Sequence, residues 1–393
     1  MIFFLPYVIM GIWLILYMEG CQNLRRVKIG IIGCGFISGI YLKNCTQMFD
    51  TILEVKAVTD LMPELAKRRA EEFGVQHVFT VDELLNDPEI EIVLNLTAPV
   101  AHAPLNLKAL HAGKHVYTEK PFALSREDAD EVLALAELKG LLVGSAPDTF
   151  MGAGIQTCRK LIDDGWIGKP YATSASIIMG NSSSGMHPNF QNFLKLGGDP
   201  IMDMGPYYLT AMVTLLGPVR RVTGSTQQVN KEITVINPKS PRFGDTVPVE
   251  APTNVAATLD FHNGAVGSLQ ACKEAFGYSP RMEVYGTEGI LYVPDANFFG
   301  GTVSIKLPNG QTKEVPHSHG YAEDSRGIGV ADMAYAIQSG RPNRASGQLA
   351  RHIIDISLSI FESSEHERHI TLASSNERPM PLPLGLKFNT LDS

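Results

Sequence analysis

Basic residues are in short supply. Lysine and arginine number 33 against 41 acidic residues, giving a formal net charge of −8, and no basic run exceeds Lys67-Arg68-Arg69. A nucleic-acid partner is not expected, because a phosphate backbone demands a basic footprint. The triplet itself reads as the solvated face of a helix. Cysteine is also sparse. Cys21, Cys34, Cys45, Cys158 and Cys272 are odd in number and no two have CxxC spacing, which excludes a disulfide framework and a zinc ribbon. Reduced thiols in the cytosol are the simplest reading. None of the eleven histidines forms a ligand-spaced cluster, so no metal is called for. Internal repeats of roughly 20–50 residues are missing, which excludes a solenoid.

Long apolar runs are limited to one, residues 2–17 (IFFLPYVIMGIWLILY). It is shorter than the roughly 20 residues a spanning helix needs, and Pro6 and Gly11 interrupt it. It has neither a positive leading region nor a small-residue cleavage site, so it is a poor secretory signal. Residues 1–26 are read as an extension upstream of a start at Met18, with a membrane anchor as the alternative. In that alternative Arg25 and Arg26 would hold the following domain in the cytosol.

What remains is 393 residues of ordinary globular composition, enough for two domains. From Val27 the chain alternates strands and helices. VKIGIIG (27–33), EVKAVTD (54–60), EIEIVLNLT (89–97), HVYTE (115–119) and LLVGSA (141–146) read as strands. Between them lie helical stretches to Met48, over 63–74, from Pro104 to Ala112 and from Ser125 to Gly140. This alternation means a doubly wound parallel sheet over 27–147. Beyond Pro147 the texture turns to hairpins, at Asn263-Gly264, Gly286–Gly289 and Pro308–Gly310. A second domain of α+β type with an antiparallel sheet is expected over 148–373, with helices near 326–338 and 346–364. Residues 374–393 read as an extended tail.

Three motifs carry chemistry. Gly33-Cys34-Gly35-Phe36-Ile37-Ser38 closes the first strand and opens a helix. Gly33 permits the tight turn, Gly35 lets backbone approach a pyrophosphate, and the helix start supplies N–H donors. Asp60 ends the second strand, where a carboxylate accepts from both ribose hydroxyls and repels a 2′-phosphate. That favours NAD over NADP; a turn or N-cap role before Pro63 is the alternative. Next, Thr97, Pro99 and His102 follow the fourth strand, and Glu119-Lys120-Pro121 follows the fifth. Both groups land in the crevice where ligands bind. Burial and a cationic nicotinamide would lower the Lys120 pKa, making it a proton-transfer group. His102 could touch cofactor or make a structural hydrogen bond. Third, in GGDPIMDMGPYYLTAMVTLLGP (197–218) Pro206 belongs in a first helical turn, so a helix should begin near Asp203. Asp203 and Tyr207 then share one face. Alone, this segment reads as an N-cap and a core tyrosine.

The glycine motif, the Thr97–His102 spacing and AGKHVYTEKP (112–121) together resemble the glucose-fructose oxidoreductase/inositol dehydrogenase family, over about residues 27–370. The resemblance implies a Rossmann domain joined to a domain with a large, mostly antiparallel sheet. It further implies NAD or NADP, substrates that are mostly sugars or cyclitols, and frequent homodimers or homotetramers. Lys120 would lie beside nicotinamide and substrate. The family pattern Asp-x-Gly-x-His is matched by Asp203 and Gly205, but Tyr207 replaces the histidine, as it does in some members. Tyr207 is therefore the expected acid/base group, with Tyr208 as the register alternative. Asp203 would hold substrate hydroxyls and Lys120, and His187 could contact substrate. A glycoside hydrolase working by transient C3 oxidation, which recycles its cofactor, is a rival reading. A non-catalytic nucleotide sensor on the same fold is another.

Overall fold

The computed structural model describes residues 25–392, apart from 181–193 and residues 196, 276 and 388. The N-terminal apolar run, Cys21 and His187 lie outside these residues. Among the described residues no helix is long and apolar enough to cross a membrane.

The first domain alternates as the sequence predicts: β1 (Val27–Ile32), α1 (Ser38–Lys43), β2 (Leu53–Thr59), α2 (Pro63–Phe73), β3 (His77–Val78) and α3 (Val81–Asn86), then β4 (Ile92–Asn95), α4 (Pro99–His111), β5 (His115–Thr118), α5 (Arg126–Lys139) and β6 (Val143–Ser145). The strands form one parallel sheet in the order β3-β2-β1-β4-β5-β6. Strands β1 and β4 are buried on both faces, which is why they read as unbroken apolar runs. Two elements escape the sequence reading. Strand β3 has only two residues, both exposed. Helix α3 is signed only by its capping box, in which Thr80 and Glu83 bond each other's backbone N–H.

Helix α4 corrects the expected start at Pro104. It begins at Pro99 and carries Pro104 inside. Pro104 removes the bond to the Val100 carbonyl, but Val100 is exposed, so water can satisfy that oxygen.

The second domain opens with α6 (Ala153–Asp163) and β7 (Pro170–Gly180), followed by α7 (Pro200–Asp203), α8 (Gly205–Leu216), β8 (Val219–Gln227) and a separate hairpin of β9 (Glu232–Thr234) and β10 (Thr246–Pro248). Then come β11 (Asn254–Phe261), β12 (Val266–Ala275), β13 (Arg281–Gly286), β14 (Gly289–Val293), β15 (Val303–Lys306) and β16 (Thr312–Val315). Helices α9 (Ile328–Ser339) and α10 (Gly347–His366) and strand β17 (Ile370–Thr371) complete it. The large sheet runs β16-β15-β14-β13-β7-β12-β11-β8-β17, antiparallel except between β7 and β12. The three expected hairpins join β11 to β12, β13 to β14, and β15 to β16. Helices α6, α8 and α10 cover one face of this sheet, and α10 also packs on α5 and β6. Arg126 of α5 binds Asp355, Ser359 and Glu362 of α10, locking the two domains together.

Candidate active site

The parallel sheet reverses its order between β1 and β4, and the crevice opens at their carboxyl ends. Gly33, just after β1, has φ +102°; a Cβ there would sit 2.7 Å from the Leu96 backbone. Only glycine fits. Around Gly35 a Cβ would meet nothing within 4 Å, which leaves the open approach a pyrophosphate needs. Phe36 is 87% exposed and Ile37 half-buried. Asp60 takes the Cys34 N–H at 2.7 Å and the Met62 N–H at 2.8 Å. Its carboxylate thus braces the glycine turn and caps its own loop, with lone pairs left for ribose hydroxyls. These residues fit a bound dinucleotide. The basic triplet is less uniform than expected: Lys67 pairs with Glu64 at the surface, whereas Arg69 turns inward to the Gly35 carbonyl, 3.2 Å away.

On the other side of the crevice, Thr97 bonds the buried Asn95 carboxamide at 2.7 Å and Pro99 is exposed at the start of α4. His102 is fully buried on α4. Its Nδ1 lies 2.7 Å from the Pro121 carbonyl oxygen and its Nε2 3.0 Å from that of Thr97. Of the two readings of His102, the geometry matches the structural hydrogen bond: the ring N–H donates to one of these carbonyls and braces the loops that follow β4 and β5. Glu119 is also inward, accepting from the Tyr41 hydroxyl at 2.8 Å and from the Lys120 N–H at 2.9 Å.

Lys120 donates to the Asp203 carbonyl at 2.7 Å and to Asp203 Oδ1 at 2.8 Å. Its ammonium stands 5.4 Å from the centre of the Tyr207 ring. Burial pulls the Lys120 pKa down, but the neighbouring carboxylates, Asp203 above all and then Glu119, outweigh it and the net direction is up. The expected lowering by burial is present, but from the protein's own groups the net direction is up; the nicotinamide charge that the expectation also invoked would act on top of this. Asp203 is held well below the usual carboxylate range: burial opposes ionisation, and the two lysines beside it, Lys120 and Lys273, overcome that. Tyr207 moves up, because burial outweighs the favourable Lys120 and Arg326 charges.

The helical setting also differs from expectation. Asp203 does not cap a helix containing Tyr207. Asp199 caps α7 through the Ile201 and Met202 N–H groups, and Asp203 ends that helix. The chain then breaks at Met204 and restarts as α8, with Pro206 in its first turn. Asp203 is freed by this break to face two lysines. Tyr208 is excluded as the register alternative, since its hydroxyl binds Asp295 at 2.6 Å. Two residues enter unforeseen. Lys273 binds Asp203 Oδ2 at 2.9 Å, and the Arg326 guanidinium faces the Tyr207 hydroxyl while bonding Asp324 and Asn297. No group of metal-ligating side chains occurs among the described residues. The described cysteines are free, and burial pushes the Cys34 thiol up to about 12.

Two family models match this chain. An oxidoreductase family with an NAD-binding Rossmann fold matches residues 27–146, and the GFO/IDH/MocA C-terminal domain matches residues 155–292. The chain belongs to the Gfo/Idh/MocA family and is a nicotinamide-dependent oxidoreductase that takes NAD. A myo-inositol 2-dehydrogenase of Thermotoga maritima is 22% identical over 88% of this chain and 98% of its own. A dTDP-3,4-didehydro-2,6-dideoxy-alpha-D-glucose 3-reductase of Streptomyces violaceoruber is 29% identical, over 83% and 89%. A levoglucosan dehydrogenase solved in complex with NADH shares the fold, with a TM-score of 0.78 and 22% identity. That match covers 89% of this chain and 100% of the other.

Proposed function

We propose that this chain interconverts a hydroxyl and a carbonyl on a sugar, cyclitol or glycoside ring, with Tyr207 moving the proton and Lys120 as the cation beside it. Bound NAD supplies the hydride exchange, held by the Gly33–Ile37 turn, Asp60 and the loops bearing Thr97, Pro99 and Glu119. One observation carries the reading: Lys120, tied to Asp203, stands 5.4 Å from the Tyr207 ring at the end of β5. In oxidation Tyr207, as the phenolate, takes the substrate hydroxyl proton; in reduction the resulting phenol returns it. Lys120 and Arg326 oppose the burial that would keep that proton on the phenol. Asp203 positions Lys120, its two oxygens already on ammonium groups. The relatives' names support a polyhydroxylated ring as substrate. Asp60 supports NAD over NADP, and we read the assembly as a homodimer or homotetramer.

The test is a panel of sugars, cyclitols and glycosides with NAD and with NADP, followed by NADH absorbance. The expected outcome is NADH accumulating on at least one ring polyol, faster with NAD. Glycoside cleavage without net NADH would establish the hydrolase instead. Tight NADH binding without turnover on any compound would establish a sensor, and a preference for NADP would overturn the Asp60 assignment.

A further inference from the structure

Lysine is almost never fully buried unless paired. Lys273, on β12, is 2% exposed. Its ammonium donates to the Gly198 carbonyl and, at 2.9 Å, to Asp203 Oδ2. The other oxygen, Oδ1, receives Lys120 at 2.8 Å. One carboxylate therefore serves two ammonium groups. We propose that Lys273 is a positioning residue: by occupying Oδ2 of Asp203, it orients the carboxylate and leaves the charge of Lys120 uncompensated beside Tyr207. This rests on the oxidoreductase reading above.

The charge argument is direct. A Lys120–Asp203 pair alone is neutral, and an adjacent phenol would feel little from it. Adding Lys273 makes the cluster a net cation, and burial leaves it poorly screened. Fixed positive charge aimed where negative charge develops favours the phenolate that must form in oxidation. The other charges facing this group are few. Arg326 adds to the effect on Tyr207, and Glu119 opposes it. Asp199, behind Lys273, opposes it when ionised, but burial raises the Asp199 pKa even though one oxygen accepts the Ile201 and Met202 N–H groups.

The geometric argument is independent. Gly198 precedes α7 and Asp203 ends it, so Lys273 grips both ends of one short helix from the neighbouring strand. Packing of α7 on β12 is otherwise modest in extent, and misplacement of a catalytic group by about 1 Å can cost on the order of 10² in rate.

The experiment is Lys273→Met in the full chain, compared with the wild type, Lys273→Arg and Tyr207→Phe. NADH affinity by fluorescence should be unchanged, and kcat should fall roughly 10- to 100-fold. The rising limb of kcat/KM against pH in oxidation should move up by about one pH unit, because a cation has been lost. Titrating phenolate absorbance without cofactor, with Tyr207→Phe subtracted, should move the same way. Lys273→Arg should leave the limb in place. A lysine that merely supports the fold would lower Tm and leave both titrations unmoved, and that result overturns the proposal. Should Lys273→Met not fold, Lys273→Gln is read by the same limb. A fully active Tyr207→Phe would sink the parent reading instead. An inactive Tyr207→Phe with an unmoved limb in Lys273→Met sinks only this inference.

Discussion

Lys120 and Tyr207 share one task, and shared tasks have a kinetic signature. Lys120→Ala should remove most turnover while sparing NADH affinity, since the contacts expected at Gly33, Gly35 and Asp60 lie elsewhere in the crevice. A loss of roughly 10²–10⁴-fold is expected, the range of general acid–base groups. Tyr207→Phe should cost a similar factor and keep its ring packing. The double variant should be scarcely worse than either single one, because groups acting as a unit are non-additive. Multiplicative losses in steady-state kinetics would show that the two act separately. The sequence marks both residues, one by following a strand end and one by standing four positions after Asp203. It does not mark Lys273 or Arg326. Lys273 meets Asp203 across 70 residues of chain, and no local pattern encodes such a contact. The direction of the Lys120 pKa was illegible for the same reason, since Asp203 sets it from 83 residues away.

At the scale of elements, long apolar strands and helices with clear caps were readable, and short or interrupted ones were not. The break at Met204 between α7 and α8 is an example: Pro206 announces a helix start, but nothing announces that Asp203 ends the helix before it. Helix α9 shows another remote influence. Its first N–H groups, Gly327 and Gly329, donate to Asp148 at 2.9 and 3.1 Å, from 179 and 181 residues away. Asp148 is buried, and burial raises its pKa from 3.8 to about 6 despite those bonds. A carboxyl that holds its proton more tightly when folded contributes stability below about pH 4, and loses it as pH rises through about 6. The shift corresponds to about 3 kcal/mol. Asp148→Asn keeps an acceptor for the helix and removes the titration. Urea unfolding from about pH 4 to about pH 7 should therefore show the variant gaining on the wild type by up to that amount. Parallel stability curves would mean that the folded-state pKa of Asp148 is not raised to within this range.

Over the whole molecule, the tail and the large sheet behave differently. The described residues of the tail form no strand or helix, yet they are tied down: Leu382 N–H donates to Gln156 at 2.8 Å, and Asp392 pairs with Arg341 at 2.8 Å. The sheet, by contrast, has helices on one face only among the described residues. Its other face centres on Ser174, Ser176, Ser225, Thr258, Ser268 and Gln270, small and uncharged, with Arg221, Asp260, Arg281 and Glu283 toward the margins. Depletion of charge from the centre of a patch, with charge at its rim, is the pattern of a protein–protein interface. A face several strands wide can supply the roughly 800 Å² per partner that a stable interface needs. We expect the wild type to sediment as a dimer or tetramer through this face. Thr258 and Ser268 are direct cross-strand partners, so Thr258→Arg with Ser268→Arg puts two cations at the centre. Across a two-fold axis each pair would meet its own copy, and like charges buried together are strongly disfavoured. The variant should drop to monomer, or from tetramer to dimer, with an unchanged circular dichroism spectrum. A wild type that sediments as a monomer, or a variant that keeps the same assembly, would show that this face is not the interface.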